Sequence, residues 1–228
     1  QVVNWGQAQF IGGGVNVINP VDGPATVRPG VLTEEMRVPV GMLHGKLALN
    51  PTTKLEGWAQ YEFRPSVLNP CGTFFTPNNY APTGCTFVNV LGGSGVNDPT
   101  ALSTGRYPKR ADDQMASNSG QFGLSLSRRL PELGTEVSGY LMNYHSRTPF
   151  VQATNANIPG SGSGYGTLAG SMDRLTSPNG LKYGLTYAEN IQLLGGTFST
   201  VIDPTTRVYG ELAYRPNQPL QINAGDLI

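Results

Sequence analysis

The sequence predicts an all-β protein, an antiparallel up-and-down transmembrane β-barrel of which about seven strands are present. First, the composition disfavours helices, because 30 Gly and 18 Pro among 228 residues would interrupt them. Second, several segments alternate between apolar and polar residues, which is the period of a strand. Third, short turns alternate with long connections along the chain, as they do in outer-membrane barrels.

The predicted strands follow from this alternation. In the segment 54–64, Leu55, Gly57 and Ala59 occupy one face and polar residues occupy the other, with Trp58 as the exception. The first predicted strand is weaker, because its aromatic residues fall on opposite faces. The expected strands cover about residues 1–10, 38–49, 54–64, 119–130, 135–146, 190–202 and 206–215.

The connections between the predicted strands are of two kinds. Tight turns at residues 50–53, 131–134 and 203–205 join strands into three hairpins. Long segments rich in Gly, Ser, Asn and Pro, at residues 65–118 and 148–189, separate the hairpins. We interpret them as short periplasmic turns and long extracellular loops, since a soluble sandwich rarely tolerates structureless loops beyond about 15 residues.

The predicted sheet is too small to close. Transmembrane barrels start at about eight strands, and an open edge in lipid leaves costly unpaired backbone groups. We expect the missing strands to come from the same polypeptide or from other copies. The chain begins at Gln1 without a Met or a signal segment and ends at Ile228 without a terminal aromatic residue. We therefore interpret it as an internal fragment.

The charged face of the strands is predicted to line a water-filled lumen. The alternative is the solvated outer face of an ordinary sheet. Aromatic residues near strand ends are expected to form a girdle at the outer membrane interface, and these are Tyr61, Phe63, Tyr140, Tyr144 and Tyr214. The predicted lumen-lining residues are Lys54, Glu56, Glu62, Arg64, His145, Arg207, Glu211 and Arg215.

The cysteine content favours an oxidising compartment. Cys71 and Cys85 lie in a segment rich in Pro, Gly and Asn, where a disulfide would close a loop. Two free thiols are the alternative, and a zinc site would need more ligands.

The balance of charge sets nucleic-acid binding aside. Fifteen basic residues are matched by fifteen acidic residues, which leaves no basic surface to attract phosphates.

Catalytic chemistry is not predicted, and neither a cofactor nor a metal is expected. The two histidines, His44 and His145, lie on separate strands without a His or Cys partner at ligand spacing. The segment 161–166 resembles a phosphate loop superficially but lacks the following Lys and Ser or Thr. A hydrolase at the mouth of the lumen is the alternative, since barrel enzymes exist.

Five segments resemble, in order, a large proteobacterial family that is common in pseudomonads and is described as a domain of unknown function. They read QVVNWG at 1–6, NVINPV at 16–21, NPCGTFF at 69–75, MNYHSR at 142–147 and YRPNQPLQIN at 214–223. The resemblance implies an outer-membrane β-barrel that is longer than this chain. It also implies a lipoprotein-like periplasmic partner, an inner-membrane transporter of the resistance-nodulation type, and traffic of hydrophobic or lipid-like molecules.

The predicted function is an outer-membrane channel or transport-system component for small, hydrophobic or lipid-like molecules. The alternative is a β-rich cell-surface subunit or adhesin that assembles through its sheet edges. The expected location is the bacterial outer membrane, with membrane lipid and lipopolysaccharide as partners. A basic loop tip at Pro108–Arg110 would contact lipopolysaccharide phosphates, or it is simply solvated.

Overall fold

A six-stranded antiparallel sheet dominates the computed structural model, which describes residues 1–7, 14–89, 95–105, 107–154 and 182–221. The fold is mostly β. The helices among these residues are short, namely α1 (Gly23–Thr26), α2 (Asp98–Thr104) and two 3₁₀ turns at Thr33–Met36 and Pro131–Leu133. In chain order the strands are β1 (Met42–Asn50), β2 (Thr53–Gln60), β3 (Lys109–Arg110), β4 (Gln121–Leu130), β5 (Thr135–Tyr144), β6 (Phe150–Thr154), β7 (Lys182–Thr186), β8 (Ile191–Asp203) and β9 (Thr206–Tyr214).

The chain divides into two compact units. The first contains Gln1–Val67, Met115–Thr148 and Tyr187–Pro219. The second contains Leu68–Gln114, Pro149–Thr186 and Leu220–Ile228.

The sheet of the first unit has the order β1-β2-β4-β5-β8-β9, and every neighbouring pair is antiparallel. The pairs β1–β2, β4–β5 and β8–β9 are hairpins with tight turns, where the alternation and the turn residues predict them. Among the described residues, the outer edges of β1 and β9 pair with no further strand. This part of the chain therefore forms an antiparallel sheet and not a closed barrel.

Three predicted strand positions need correction. The expected strand over residues 1–10 is wrong for residues 1–7, which form no strand, while residues 8–10 lie outside the described part. The Val3 N–H donates to the side chain of Asn19, at 2.9 Å, rather than to a neighbouring strand. In addition, β1 begins at Met42 and β2 ends at Gln60, so that the expected strand residues 38–41 and 61–64 lie outside these strands.

The long connections are not structureless, which corrects that expectation. The segment 65–118 contains α2 and β3, and the segment 148–189 contains β6 and β7. In the second unit these strands form a small sheet of order β3-β7-β6, in which β3 runs parallel to β7 and β6 runs antiparallel to it. The loop segment 161–166 lies outside the described residues.

A cysteine pair and an arginine organise the second unit. Cys71 and Cys85 lie at disulfide distance, with Cα atoms 5.3 Å apart. Arg110 donates to four carbonyl oxygens of the same loop, at 3.0–3.2 Å, and to Asp113 at 2.9 Å. The expectation of a free basic tip is therefore wrong for Arg110, because these bonds hold its guanidinium against the loop; Lys109 is exposed.

Candidate functional site

One face of the six-stranded sheet, here called the apolar face, exposes large aliphatic side chains. The register places Leu124 opposite Leu141, Leu141 opposite Leu194, and Leu194 opposite Tyr214, so that an apolar row crosses four strands. Leu124 is 52% exposed and Leu141 59% exposed. Further exposed members of this face are Leu43, Leu47, Phe122, Leu126, Phe198, Val208 and Leu212. Exposed apolar patches of this extent mark protein or membrane contact sites.

The opposite face, here called the covered face, lies beneath the N-terminal segment (residues 1–7 and 14–21). Val3, Trp5, Val15 and Ile18 of this segment are buried. They form the hydrophobic core together with the covered-face residues Met42, Trp58, Tyr140, Met142, Tyr144, Ile191 and Leu193. The core therefore forms between the segment and the sheet, and not between two sheets.

Trp5 is the central contact between the N-terminal segment and the covered face. Its ring centroid lies 6.2 Å from that of Trp58 and 5.5 Å from that of Tyr140. Its indole Nε1–H donates to Glu56 Oε1 at 2.9 Å. The same carboxylate oxygen contacts His44 Nε2 at 2.7 Å. Glu56 thus carries a hydrogen-bonded charge at the junction of the segment and the sheet.

A second carboxylate holds the N-terminal segment from β9. Glu211 accepts the backbone N–H groups of Gln7 and Val15, both at 2.5 Å. These two groups lie on either side of residues 8–13. Hydrogen bonds between ionised carboxylates and backbone N–H groups are stronger than neutral ones. Glu211 therefore holds the backbone of Gln7 and of Val15 at the sheet.

Arg215 also holds the N-terminal segment at the sheet. Arg215, which directly follows β9, donates to Tyr144 Oη at 2.8 Å and to the carbonyl oxygen of Gly14 at 2.5 Å. Glu211 and Arg215, which carry opposite charges, thus both bind the backbone of the N-terminal segment.

Arg147 forms a third polar cluster at the end of the covered face. Its guanidinium donates to the carbonyl oxygens of Arg64, at 3.2 Å, and Ile18, at 2.9 Å, and to Gln60 Oε1. Its Cζ atom lies 5.3 Å from the ring centroid of Phe63. Burial lowers the pKa of Arg147 to about 10, so the side chain remains charged at neutral pH.

His145 is fixed by hydrogen bonds on both ring nitrogens. The Asn190 N–H donates to Nδ1 at 3.1 Å, so Nε2 carries the proton that bonds to the Ser119 carbonyl oxygen at 2.9 Å. Asn190 adopts the left-handed conformation, with φ of 56°, which Asn tolerates better than most residues. His145 is buried and therefore serves as a link between loops at this end of the sheet.

The structure places the predicted lumen-lining residues in different surroundings. Glu56, Glu211 and Arg215 meet at the covered face with the N-terminal segment. Lys54 and Arg207 are exposed, and Arg207 donates to Ser199 Oγ at 2.5 Å.

Glu62 and Arg64 form an ion pair beyond the end of β2, with Arg64 Nε 2.6 Å from Glu62 Oε1. A backbone hydrogen bond from Gly41 and the bond from Arg64 lower the pKa of Glu62.

The predicted aromatic girdle is wrong for three of its five residues. Tyr140 and Tyr144 are buried on the covered face, and Phe63 is buried against Tyr187. Alternation puts Tyr140 and Tyr144 on one face of their strand but does not tell which face is covered. Tyr61 and Tyr214 are exposed.

Sequence reasoning missed the N-terminal segment and Arg147. For the N-terminal segment, the available signal was Trp5, a large aromatic residue within a weak strand pattern. For Arg147, it was the MNYHSR segment, which this residue ends.

Two kinds of feature are not found among the residues that the structure describes. No helix there has the length and apolar character needed to cross a membrane. That part of the chain also has no group of three or more His, Cys, Asp or Glu side chains that could hold a metal ion.

The chain matches one protein family along its whole length. The family is described as "Protein of unknown function (DUF1302)", and the match covers residues 1–228. No curated protein and no solved structure matches the chain. The match confirms the resemblance to a family of unknown function.

Proposed function

We propose that this chain, which belongs to the family described as "Protein of unknown function (DUF1302)", forms part of a β-barrel in the bacterial outer membrane. In this proposal it acts as a channel or transport-system component for small, hydrophobic or lipid-like molecules. The exposed apolar face of the six-stranded sheet carries the proposal. No catalytic step is part of it.

The apolar face supports contact with lipid. A row of exposed leucines across several strands is costly in water, since each fully exposed aliphatic side chain forgoes about 1.5–3 kcal/mol of burial. In a membrane the same face would lie against acyl chains. The strand lengths agree with this arrangement: β4 and β5 have 10 residues each and β9 has 9, while a membrane-crossing strand needs about 9–11.

The distribution of charges supports a membrane boundary at the hairpin turns. Arg128, Arg129 and Glu136 are exposed and lie close to the β4–β5 turn. Lys54 and Arg207 are exposed beside the other two turns. Charged side chains are least costly near the interface of a bilayer and most costly at its midplane. Charged residues therefore flank the apolar row at the end of the sheet where the hairpin turns lie.

The covered face supports a narrow passage. It carries the carboxylates of Glu56 and, on β9, Glu211 beside the apolar core residues. The N-terminal segment packs Trp5 and Ile18 against this face, which reduces the space beside the sheet. A passage restricted in this way would admit small molecules and exclude large ones.

The open edges of β1 and β9 bear on both the proposal and its alternative. In a membrane these edges need further strands, from the same polypeptide or from other copies, because lipid offers no hydrogen-bond partners. The same edges favour the alternative function, a cell-surface subunit that assembles by strand addition. A periplasmic lipoprotein-like protein, an inner-membrane transporter and lipopolysaccharide are the partners we propose for the barrel.

One pair of substitutions tests the proposal. Leu124→Arg places a charge in the middle of the apolar face, and Leu133→Arg makes the same change in the β4–β5 turn. Leu124 is 52% exposed and Leu133 66% exposed, so neither change disturbs a core. Near the midplane of a bilayer an Arg costs about 2–4 kcal/mol, whereas near the interface it costs about 0–1 kcal/mol.

The measurement is folding of the full-length protein into phosphatidylcholine vesicles, detected as faster gel migration before boiling than after it. We expect the wild type and Leu133→Arg to fold and Leu124→Arg to lose most of the fast-migrating band. If all three proteins remain in solution without detergent and show the same mobility before and after boiling, the barrel proposal is wrong. Soluble oligomers would then favour the surface subunit.

A further inference from the structure

Arg147 carries a buried positive charge that has no carboxylate partner in the part of the chain that the structure describes. The residue is 7% exposed. Among the described residues, no Asp or Glu oxygen lies within 4.0 Å of its guanidinium. Its acceptors are two carbonyl oxygens and the amide oxygen of Gln60, all of which are uncharged. Buried cations are normally paired with an anion, because neutral dipoles offset only part of the lost hydration.

Two N–H donors of residues that adjoin Gln60 lack an acceptor among the described residues. They are Nε of Arg147 and Nε2 of Gln121, which is 2% exposed. The His145 N–H donates to Gln121 Oε1 at 3.3 Å, which fixes the orientation of that amide and turns its NH₂ group away from the His145 backbone. Unsatisfied donors at such depth are uncommon in folded proteins.

The register brings these donors to one end of the sheet. Gln60 of β2 is the direct cross-strand neighbour of Gln121 of β4, and both side chains point to the covered face. Gln60 binds the guanidinium of Arg147, and Gln121 binds the backbone two residues before it. The side-chain oxygen atoms of Gln60 and Gln121 therefore both bind the short segment 145–147.

We propose that Arg147 and Gln121 bind a small monovalent anion, of the size of chloride, through Nε–H and Nε2–H. An anion would satisfy both donors and compensate the buried charge, whereas a water molecule would satisfy the donors alone. The near-complete burial of both side chains favours a single small ion over phosphate. This site is independent of the proposed transport function.

The direct test is anomalous diffraction from crystals of the full-length protein grown with sodium bromide in place of sodium chloride. We expect a bromide peak within hydrogen-bonding distance of Arg147 Nε and Gln121 Nε2. A water molecule without anomalous signal at this position, or a carboxylate from another part of the protein, would overturn the proposal.

A solution test uses a substitution that supplies the negative charge covalently. Gln121→Glu keeps the size of the side chain and the acceptor for His145. It places a carboxylate directly across from Gln60, which binds the guanidinium of Arg147. Gln192→Glu makes the same change at an exposed position and serves as the matched control. Melting temperatures are measured in sodium chloride and in sodium gluconate at equal ionic strength.

We expect chloride to raise the melting temperature of the wild type and of Gln192→Glu saturably relative to gluconate, as ligand binding to the folded state does. The chloride effect should disappear in Gln121→Glu. Equal melting temperatures of the wild type in the two salts, or a chloride effect that survives in Gln121→Glu, would refute the anion site.

Discussion

The two tryptophans offer a matched comparison of a hydrogen-bonded and an unbonded indole. Trp5 and Trp58 are both buried, at 5% and 4% exposure, and their rings lie in the same core. The indole N–H of Trp5 donates to the carboxylate of Glu56 at 2.9 Å. The indole N–H of Trp58 has no acceptor among the described residues. The substitutions Trp5→Phe and Trp58→Phe therefore remove the same chemical group from opposite situations.

The expected magnitudes follow from this difference. Both substitutions lose similar ring area, which costs each variant about 1 kcal/mol of packing. Trp5→Phe also removes a hydrogen bond to a charged group, which contributes about 1.5–3 kcal/mol. Trp58→Phe removes a donor without an acceptor, and this relieves a cost rather than adding one. We expect Trp5→Phe to lower the free energy of unfolding by about 2 kcal/mol more than Trp58→Phe does.

The assay is equilibrium unfolding in denaturant, followed by far-ultraviolet circular dichroism so that the lost fluorophore does not matter. Trp5→Ala extends the series, because it also removes the ring and should cost about 3–5 kcal/mol. Equal losses in the two Phe variants, or a larger loss for Trp58→Phe, would contradict the Trp5–Glu56 bond. A loss below about 1 kcal/mol for Trp5→Ala would mean that the N-terminal segment does not pack on the sheet.

Three further predictions concern the covered face and its edge. Gly123→Val should lower the free energy of unfolding by about 1–3 kcal/mol, because a Cβ there would lie 2.6 Å from Trp58 Nε1. The control in the same denaturation measurement is Gly139→Ala, where an added Cβ would meet no described atom within 4 Å. Glu211→Gln should cost about 1–2 kcal/mol, because it weakens two charge-assisted hydrogen bonds to the N-terminal segment; an unchanged unfolding midpoint would argue against that attachment. The pKa of Glu62 is lowered by its hydrogen bonds in the folded state, so its contribution to stability is present above the unfolded-state pKa and is lost as the pH falls through the lowered value. In Glu62→Gln, a stability–pH curve should fall less steeply on the acid side than in the wild type.

The sequence was sufficient to predict the three hairpins. Strand alternation has a period of two, and the turns at 50–53, 131–134 and 203–205 contain Pro or Gly beside polar residues, so both signals are local. The proximity of Cys71 and Cys85 was likewise predictable, because they lie in one turn-rich stretch. The register of each hairpin follows from its turn.

Long-range packing specifies which face of the sheet is covered and which segment covers it. Alternation divides the residues of a strand into two sets but leaves open which set a distant segment will meet. It therefore does not predict that Tyr140 and Tyr144 are buried. The contacts of Trp5 with Glu56, and of Glu211 with the backbone at residues 7 and 15, join positions 51 to 204 residues apart. Such contacts depend on the long-range order of the strands, which no local pattern encodes. Local residue patterns therefore specify the hairpins, whereas the packing of the whole unit specifies the core and the charged groups that hold it.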